Sequence, residues 1–169
     1  MYQWNHIAAG IFMGFIIQPM VFIGAHWSIV PVSIASIAAN GYDLLLPLLG
    51  GAVYGQCGAA LAMGIIYKDK KNKSISFQAA FSAALGVTEP ALFGVTMKNP
   101  RAMLSACIGG ALGGALAGYA GCQCLAFAFP SFITCIAYAG TGFAMFLISM
   151  AAAFPIGLGL TLLQRKWIS

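Results

Sequence analysis

The chain has 169 residues, of which 61% are hydrophobic and only 7% are charged, and its formal net charge is +5. Soluble domains carry about 25% charged residues, so this composition excludes an ordinary soluble protein and places the chain in a membrane. The positive charge does not indicate nucleic-acid binding, because the Lys and Arg residues lie in three short segments between apolar runs rather than on one basic face.

The first two apolar segments differ in polarity. Residues 7–24 carry no charged side chain, and they are near the minimum length for a helix that crosses a bilayer. Residues 25–43 are interrupted by His26, Pro31, Asp43 and several other polar residues, so they are too polar for an ordinary span. We predict a re-entrant hairpin or half-helix there, which is tolerated only where protein or a water-filled cavity surrounds it.

The next segment, residues 44–66, is a clear predicted span. Pro47 lies in its first turn, where proline is tolerated, and Asp43 is the predicted helix cap that precedes it. A basic loop follows at residues 68–73.

Residues 74–97 hold Glu89, the only glutamate of the chain, inside an apolar neighbourhood. An ionisable residue at the centre of a bilayer costs about 2.5–3.5 kcal/mol on insertion scales, so it usually faces a cavity or a partner. Pro90 cannot donate a backbone hydrogen bond, and Gly86 and Gly94 on either side tolerate unusual backbone angles. This pattern is typical of a substrate site in a broken transporter helix, so we predict that the segment is re-entrant.

The rest of the chain contains two further predicted spans. Residues 102–121 are rich in Gly and Ala, which let helices approach closely, and residues 141–163 form the last span, with Pro155 as a predicted kink. Residues 122–140 contain Pro130 and no charge, and we predict an extracytoplasmic or re-entrant segment.

The basic segments predict the orientation of the chain. Cytoplasmic loops are enriched in Lys and Arg, and all eight such residues lie at 68–73, 98–101 and 165–166. Placing all three segments in the cytoplasm makes residues 74–97 enter and leave on that side, and residues 25–43 then lie toward the outside. If the first apolar segment is one full span, the start of the chain lies on the cytoplasmic side.

The predicted fold class is therefore an all-α integral membrane protein. It has about four transmembrane helices and two re-entrant hairpins or half-helices, in one membrane domain of residues 1–169. The two re-entrant segments approach from opposite faces, with His26 at one tip and Glu89 at the other, which is a common arrangement around transporter sites.

These two residues are also the main candidates for binding. Glu89 can accept hydrogen bonds from hydroxyl groups or act as a base toward one, and the alternative is a structural carboxylate satisfied by backbone donors. His26 can donate or accept, and the alternative is a packed or interfacial histidine.

Their neighbours are secondary candidates. Trp27 offers a ring face for stacking, or is a simple interfacial tryptophan. Thr88 positions Glu89 or binds a hydroxyl, or else caps a helix. Gln18, Asn40 and Gln56 can line a cavity, but the sequence assigns them no role.

The five cysteines lie in or beside apolar segments, so they predict small packing residues rather than a disulfide framework. They are Cys57, Cys107, Cys122, Cys124 and Cys135. We expect no metal site and no cofactor.

Three motifs resemble one family of transporters. Residues 86–95, GVTEPALFGV, resemble the G-[IV]-T-E-P motif in the membrane-spanning IIC component of sugar phosphotransferase permeases of the glucose, sucrose and β-glucoside superfamily. Residues 24–31 are similar to that family's G-x-H-W-x-x-x-P segment, and residues 41–47 fit its β-glucoside branch. The order and hydropathy of the segments agree from about residue 10 to residue 163.

The resemblance implies a function and a set of partners. It implies that His26 and Glu89 contact a β-glucoside or sucrose-like sugar, with Thr88 and Trp27 beside them. It also implies that the chain corresponds to the C-terminal, substrate-binding half of EIIC, in the bacterial cytoplasmic (inner) membrane as a multi-pass protein. The expected partners are the sugar, the lipid bilayer, the N-terminal half of EIIC, a phosphorylated IIB domain and a second copy in a homodimer, but no nucleic acid.

Enzymatic activity of the chain itself is left open, because it carries no site that matches the phosphorylated cysteine of IIB or histidine of IIA. Two other functions also remain open. One is a truncated, non-transporting remnant or accessory membrane protein. The other is a small channel or ion-coupled carrier that uses Glu89 for protons.

Overall fold

A computed structural model describes the backbone of residues 2–168 and the side chains of residues 6–166. Within this part the secondary structure is helical and includes no strand, which confirms the predicted all-α class. The α-helices are α1 (Tyr2–Phe22), α2 (Ile29–Asn40), α3 (Gly50–Ile66), α4 (Lys70–Ala84), α5 (Glu89–Gly94), α6 (Pro100–Tyr119), α7 (Phe143–Leu163) and α8 (Arg165–Ile168). Four 3-10 turns lie at Ala25–Ser28, Leu46–Leu49, Thr96–Lys98 and Thr134–Tyr138.

Three helical stretches of the described chain are long and apolar enough to cross a membrane: Leu46–Ile66, Pro100–Tyr119 and Phe143–Leu163. The apolar stretch His6–Phe22 of α1 is shorter. The three long stretches coincide with the predicted spans at 44–66, 102–121 and 141–163, and they support a membrane protein.

Helices α3 and α6 pack backbone against backbone through glycines. Gly51 lies against Gly113, and Gly55 lies against Gly109, so the two helices run antiparallel. A Cβ atom on Gly51 would meet the Gly113 Cα at 2.6 Å, which is closer than real Cβ atoms approach. Small residues at these positions therefore set the distance between the two helices.

Helix α7 runs parallel to α3. Gly50 faces the ring of Phe146, and Gly58 faces the backbone of Phe154, so both helices advance in the same direction. The ends of α3 and α7 consequently lie beside the start of α6, where the Gln164 side chain donates to the Ser105 hydroxyl over 3.3 Å. The fold thus brings all three basic segments to one end of the bundle, which we call the basic end.

The direction of α1 differs from the prediction. Gly10 and Gly14 lie directly against the backbone of Gly114 and Gly110, so α1 runs antiparallel to α6 and begins at the end opposite the basic end. Helix α1 therefore does not begin on the side of the basic segments, where it was expected to begin if residues 7–24 formed one full span. The physical reason is that α1 and α2 together form a hairpin, whereas the prediction treated residues 7–24 as a crossing that precedes a separate re-entrant segment.

The tip of this first hairpin is the turn at Ala25–Ser28, and α2 then returns toward the end where α1 began. The Ser36 hydroxyl donates to the Tyr42 carbonyl over 3.1 Å, just beyond the end of α2. The Asp43 carboxylate accepts from the Leu45 and Leu46 backbone N–H groups at 3.0 and 2.7 Å. Asp43 therefore caps the turn that leads into α3, as the sequence indicated.

A second hairpin, α4 and α5, rises from the basic end. Helix α4 runs antiparallel to α3, because Cys57 contacts the Ala80 carbonyl and the Tyr54 hydroxyl donates to the Ala84 carbonyl over 3.4 Å. The tip is at residues 85–88, and α5 leads back toward the start of α6. Both ends of this hairpin therefore lie at the basic end.

The segment between α6 and α7 is largely irregular, and several of its backbone groups are hydrogen-bonded. The Cys124 N–H donates to the Asp43 carbonyl and the Leu125 N–H donates to the Ala137 carbonyl, both over 2.8 Å. The Tyr138 hydroxyl donates to the Ala128 carbonyl over 2.5 Å. Irregular backbone is tolerated at membrane depth only when its polar groups find partners in this way.

Candidate functional site

A cavity of about 240 Å³ lies between the tips of the two hairpins. All four residues that the sequence singles out for binding, His26, Trp27, Thr88 and Glu89, line it. The other walls are mostly apolar and include Val21, Ile29, Leu49, Val53, Phe129 and Pro130.

His26 reaches the cavity because α1 stops just before it. Gly24 has a φ of 76°, a left-handed conformation that favours glycine, and the chain turns there into the 3-10 turn that carries His26. The Nε2 atom of His26 lies 3.8 Å from the Oε1 atom of Glu89. Its Nδ1 atom is buried and has no hydrogen-bond partner in the described structure.

Glu89 is positioned by a tight turn at the tip of the second hairpin. Gly86 has a φ of 95°, and Ser82 holds the turn through hydrogen bonds to the backbone of Val87. The side chain of Glu89 is 44% exposed, whereas that of His26 is 11% exposed. The carboxylate therefore has room to accept hydrogen bonds from a ligand.

Thr88 precedes α5 but does not cap it with its side chain. Its backbone carbonyl accepts from the Leu92 N–H over 2.9 Å, as in a regular helix. Of the alternatives for this residue, the side-chain cap is therefore absent, and the hydroxyl group remains a candidate contact within the cavity.

Trp27 is 61% exposed. Its ring meets the ring of Phe129 edge to face, with centroids 6.2 Å apart and planes at 88°. Phe129 and Pro130 come from the irregular segment after α6, which the sequence did not connect with the site. A pair of aromatic residues at the mouth of a cavity provides a surface for stacking.

The three polar residues without a predicted role occupy different places. Gln18 lines the cavity and is 1% exposed. Gln56 lies outside it, and its side-chain N–H donates to the Thr96 hydroxyl over 2.7 Å, which ties the second hairpin to α3. Asn40 lines a separate cavity of about 340 Å³ near the ends of α2 and α6.

The cavity combines a carboxylate, an imidazole and a hydroxyl with aromatic and aliphatic walls. Such a surface suits a small ligand that has several hydroxyl groups around an apolar ring face, because the polar groups orient the ligand and the apolar walls cover its faces. The fold and the site together define a helical membrane protein with a cavity between the tips of two opposed hairpins.

Comparison with protein families identifies this class more closely. The family model described as "Phosphotransferase system, EIIC" matches residues 1–110, which include both hairpins. The chain belongs to the phosphotransferase system EIIC family.

Curated relatives carry related names. The chain is 44% identical over 134 residues to a beta-glucoside-specific EIIBCA component of Dickeya chrysanthemi, and this match covers 77% of the chain and 21% of the relative. It is 40% identical over 116 residues to the sucrose-specific EIIBC component of Bacillus subtilis, covering 68% of the chain and 25% of the relative. It is 37% identical over 121 residues to a MurNAc-GlcNAc-specific EIIBC component of Staphylococcus haemolyticus, covering 69% of the chain and 25% of the relative.

The matched part thus spans about a fifth to a quarter of the length of these relatives. No solved structure is a significant match to the chain.

Proposed function

We propose that this chain is the sugar-binding and translocating part of a phosphoenolpyruvate-dependent sugar phosphotransferase permease, with a β-glucoside or sucrose-like substrate. The observation that carries the proposal is that His26 and Glu89 lie 3.8 Å apart in one cavity although they come from the tips of two different hairpins. The names of the relatives support the class of sugar.

In this proposal each polar group has a separate task. Glu89 accepts hydrogen bonds from sugar hydroxyls, His26 and Thr88 contact other hydroxyls, and Trp27 stacks on the ring. Glu89 is also placed to act as a base: as a sugar hydroxyl oxygen bonds to the phosphorus atom carried by the IIB cysteine, the P–S bond breaks, the cysteine leaves as a thiolate, and the hydroxyl proton passes to the Glu89 carboxylate.

The remaining steps require partners. The sugar moves inward with the rigid body that holds both tips, and a phosphorylated IIB domain then modifies it at the basic end, which faces the cytoplasm. The relatives are EIIBCA and EIIBC components, and these names support a IIB partner. The N-terminal half of EIIC and a second copy complete the permease in the bacterial inner membrane, where this chain is a multi-pass protein.

The test is sugar affinity in membranes that hold the chain together with the N-terminal half of an EIIC relative. Binding of methyl β-D-glucoside and of sucrose is measured for wild type and for Glu89→Gln, which keeps the shape but removes the charge. Charge-assisted hydrogen bonds contribute about 1.5–3 kcal/mol, so affinity falls roughly tenfold to a hundredfold.

Asp69→Asn is the matched control. Asp69 is an exposed carboxylate that caps α4 at the basic end, away from the cavity, and its loss leaves sugar affinity unchanged. Affinity of Glu89→Gln at the wild-type level, with normal insertion, would mean that the carboxylate is structural. A wild-type chain that inserts but binds no sugar would favour a remnant or accessory protein.

A further inference from the structure

In the side-chain amide of Gln18, the nitrogen is hydrogen-bonded but the oxygen is not. Its Nε2 donates to the Ala52 carbonyl over 3.1 Å, which fixes the amide group. Its Oε1 is buried and has no hydrogen-bond partner in the described structure. Buried polar atoms are nearly always paired in folded proteins, so an unpaired acceptor in a fixed amide needs an explanation.

The location of Gln18 supplies one. Helix α1 contributes Ile17, Gln18 and Val21 to the cavity between the hairpin tips, and Gln18 is the polar one of the three. Its side chain is thus a buried polar group on an otherwise apolar wall of the site that also holds His26 and Glu89. A ligand hydroxyl placed against this wall would supply the donor that the Oε1 atom lacks.

We propose that the Gln18 side-chain oxygen accepts a hydrogen bond from one hydroxyl of the bound sugar and so helps to determine which hydroxyl pattern is accepted. This inference rests on the proposed function, since it requires a sugar in the cavity. Because the amide nitrogen is already committed to Ala52, the interaction has a direction: the sugar hydroxyl donates and the protein accepts. A site built around a hydroxyl donor rejects a ligand that lacks it, because the buried acceptor is then left unpaired.

The direction of the bond provides the test. Affinity is measured for methyl β-D-glucoside and for its deoxy and deoxyfluoro analogues at each ring hydroxyl, in membranes that contain the chain and the N-terminal EIIC half. Fluorine can accept a hydrogen bond but cannot donate one. At the hydroxyl that faces Gln18, the deoxy and the deoxyfluoro sugars therefore lose affinity by similar factors, at least roughly tenfold.

The variant Gln18→Met replaces the amide with an apolar side chain of similar size. It therefore binds the parent sugar more weakly than wild type does, and its affinities for the parent and for these two analogues are equal. Gln56→Met is the matched control. Gln56 is also a fully buried glutamine whose Nε2 donates and whose Oε1 is unpaired, but it lies outside the cavity. The Gln56→Met variant therefore keeps the wild-type discrimination among sugars, whatever the substitution does to stability.

The outcomes separate this inference from the proposed function. If Gln18→Met rejects every analogue by the same factors as wild type, Gln18 does not contact the sugar, although a loss of affinity in Glu89→Gln would still support the permease. A fluoro analogue that binds like the parent at every position also overturns the inference, because no sugar hydroxyl then acts as a required donor. If wild type binds none of the sugars, both proposals fail.

Should Gln18→Met not insert or fold, Gln18→Glu provides the second variant. At a pH at which this buried carboxyl group is protonated, its O–H replaces the amide N–H as donor to the Ala52 carbonyl and its other oxygen remains an acceptor at the same distance from the backbone. The variant therefore retains discrimination against the deoxy and deoxyfluoro sugars at that position. Loss of discrimination in a folded Gln18→Glu variant would contradict the inference.

Discussion

The Nε2 atom of His26 and the Oε1 atom of Glu89 face each other across 3.8 Å, and they join the tips of two hairpins that enter from opposite ends of the bundle. This distance exceeds the usual range of about 2.7–3.2 Å for a hydrogen bond to oxygen, so neither group saturates the other. A hydroxyl that enters between them can therefore contact both, and binding would connect the two hairpins through the ligand.

The first prediction follows from this shared contact. His26→Ala and Glu89→Gln each weaken sugar binding. The loss of binding free energy in the double variant differs from the sum of the two single losses by about 0.5–3 kcal/mol, because residues in one network couple. The pair His26→Ala and Asp69→Asn is the control and is additive within about 0.5 kcal/mol, since Asp69 is distant from the site. The measurement is sugar affinity for all variants. Simple additivity of His26 and Glu89 would argue against a common ligand.

The second prediction concerns orientation. Asn72 and Asn99 lie in or beside the basic segments, whereas Asn40 lies at the end of α2 near the opposite end of the bundle. We expect an impermeant thiol reagent to label Asn40→Cys in intact cells, but Asn72→Cys and Asn99→Cys only after the cells are opened, because basic segments face the cytoplasm. Cys135 is replaced by serine in the background, since it is the native cysteine that is not buried. External labelling of either Asn72→Cys or Asn99→Cys would exclude the proposed topology.

The third prediction tests the contact between α1 and α6. A Cβ atom on Gly14 would overlap the backbone of Gly110, so Gly14→Ala forces the two helices apart. Overpacking of this kind typically costs about 1–3 kcal/mol. Gly159→Ala is the control, because Gly159 also lies within a long helix but a Cβ atom there would have no neighbour within 4 Å. Thermal unfolding in detergent should show a lower midpoint for Gly14→Ala than for wild type, and an unchanged midpoint for Gly159→Ala. Equal midpoints for Gly14→Ala and wild type would refute the close contact.

Much of this architecture could be predicted from the sequence. Length and hydropathy predicted the three long apolar helices, and charge alone predicted that the ends of α3 and α7 lie on the same side as the start of α6. Glu89 was recognisable because a carboxylate followed by proline is costly in an apolar segment. His26 needed the motif around it, since a lone histidine is as often a packing residue.

The direction of α1 could not be predicted in the same way. The first basic residue of the chain is Lys68, so the positive-inside bias places residues 25–43 only by counting back from the span at 44–66, and it leaves open whether residues 7–24 cross the membrane completely. The contacts of Gly10 and Gly14 with α6 determine the direction, and a glycine pattern does not state which partner it meets. Phe129 reaches the cavity through an irregular segment whose course depends on tertiary hydrogen bonds, and no local pattern reveals such a course.

The last prediction concerns the turn that holds Glu89 in place. Gly86 has a φ of 95°, and a Cβ atom there would lie 3.0 Å from the Ser131 Cβ and 3.2 Å from the Pro130 carbonyl oxygen. Gly86→Ala therefore adds two effects: left-handed backbone strain of about 1–2 kcal/mol, and crowding that shifts the tip or the segment carrying Phe129 by a few tenths of an ångström. We expect both stability and sugar affinity to fall, the affinity several-fold, because Glu89 moves with the tip.

Gly41→Ala separates the two effects. Gly41 has a similar φ of 80°, but a Cβ atom at this position would meet nothing within 4 Å, so the substitution brings the strain without the crowding. It should lower the unfolding midpoint and leave sugar affinity at the wild-type level. If Gly86→Ala also lost stability but kept its affinity, the position of the tip would not control binding, and the cavity between the hairpins would lose its main support as the sugar site.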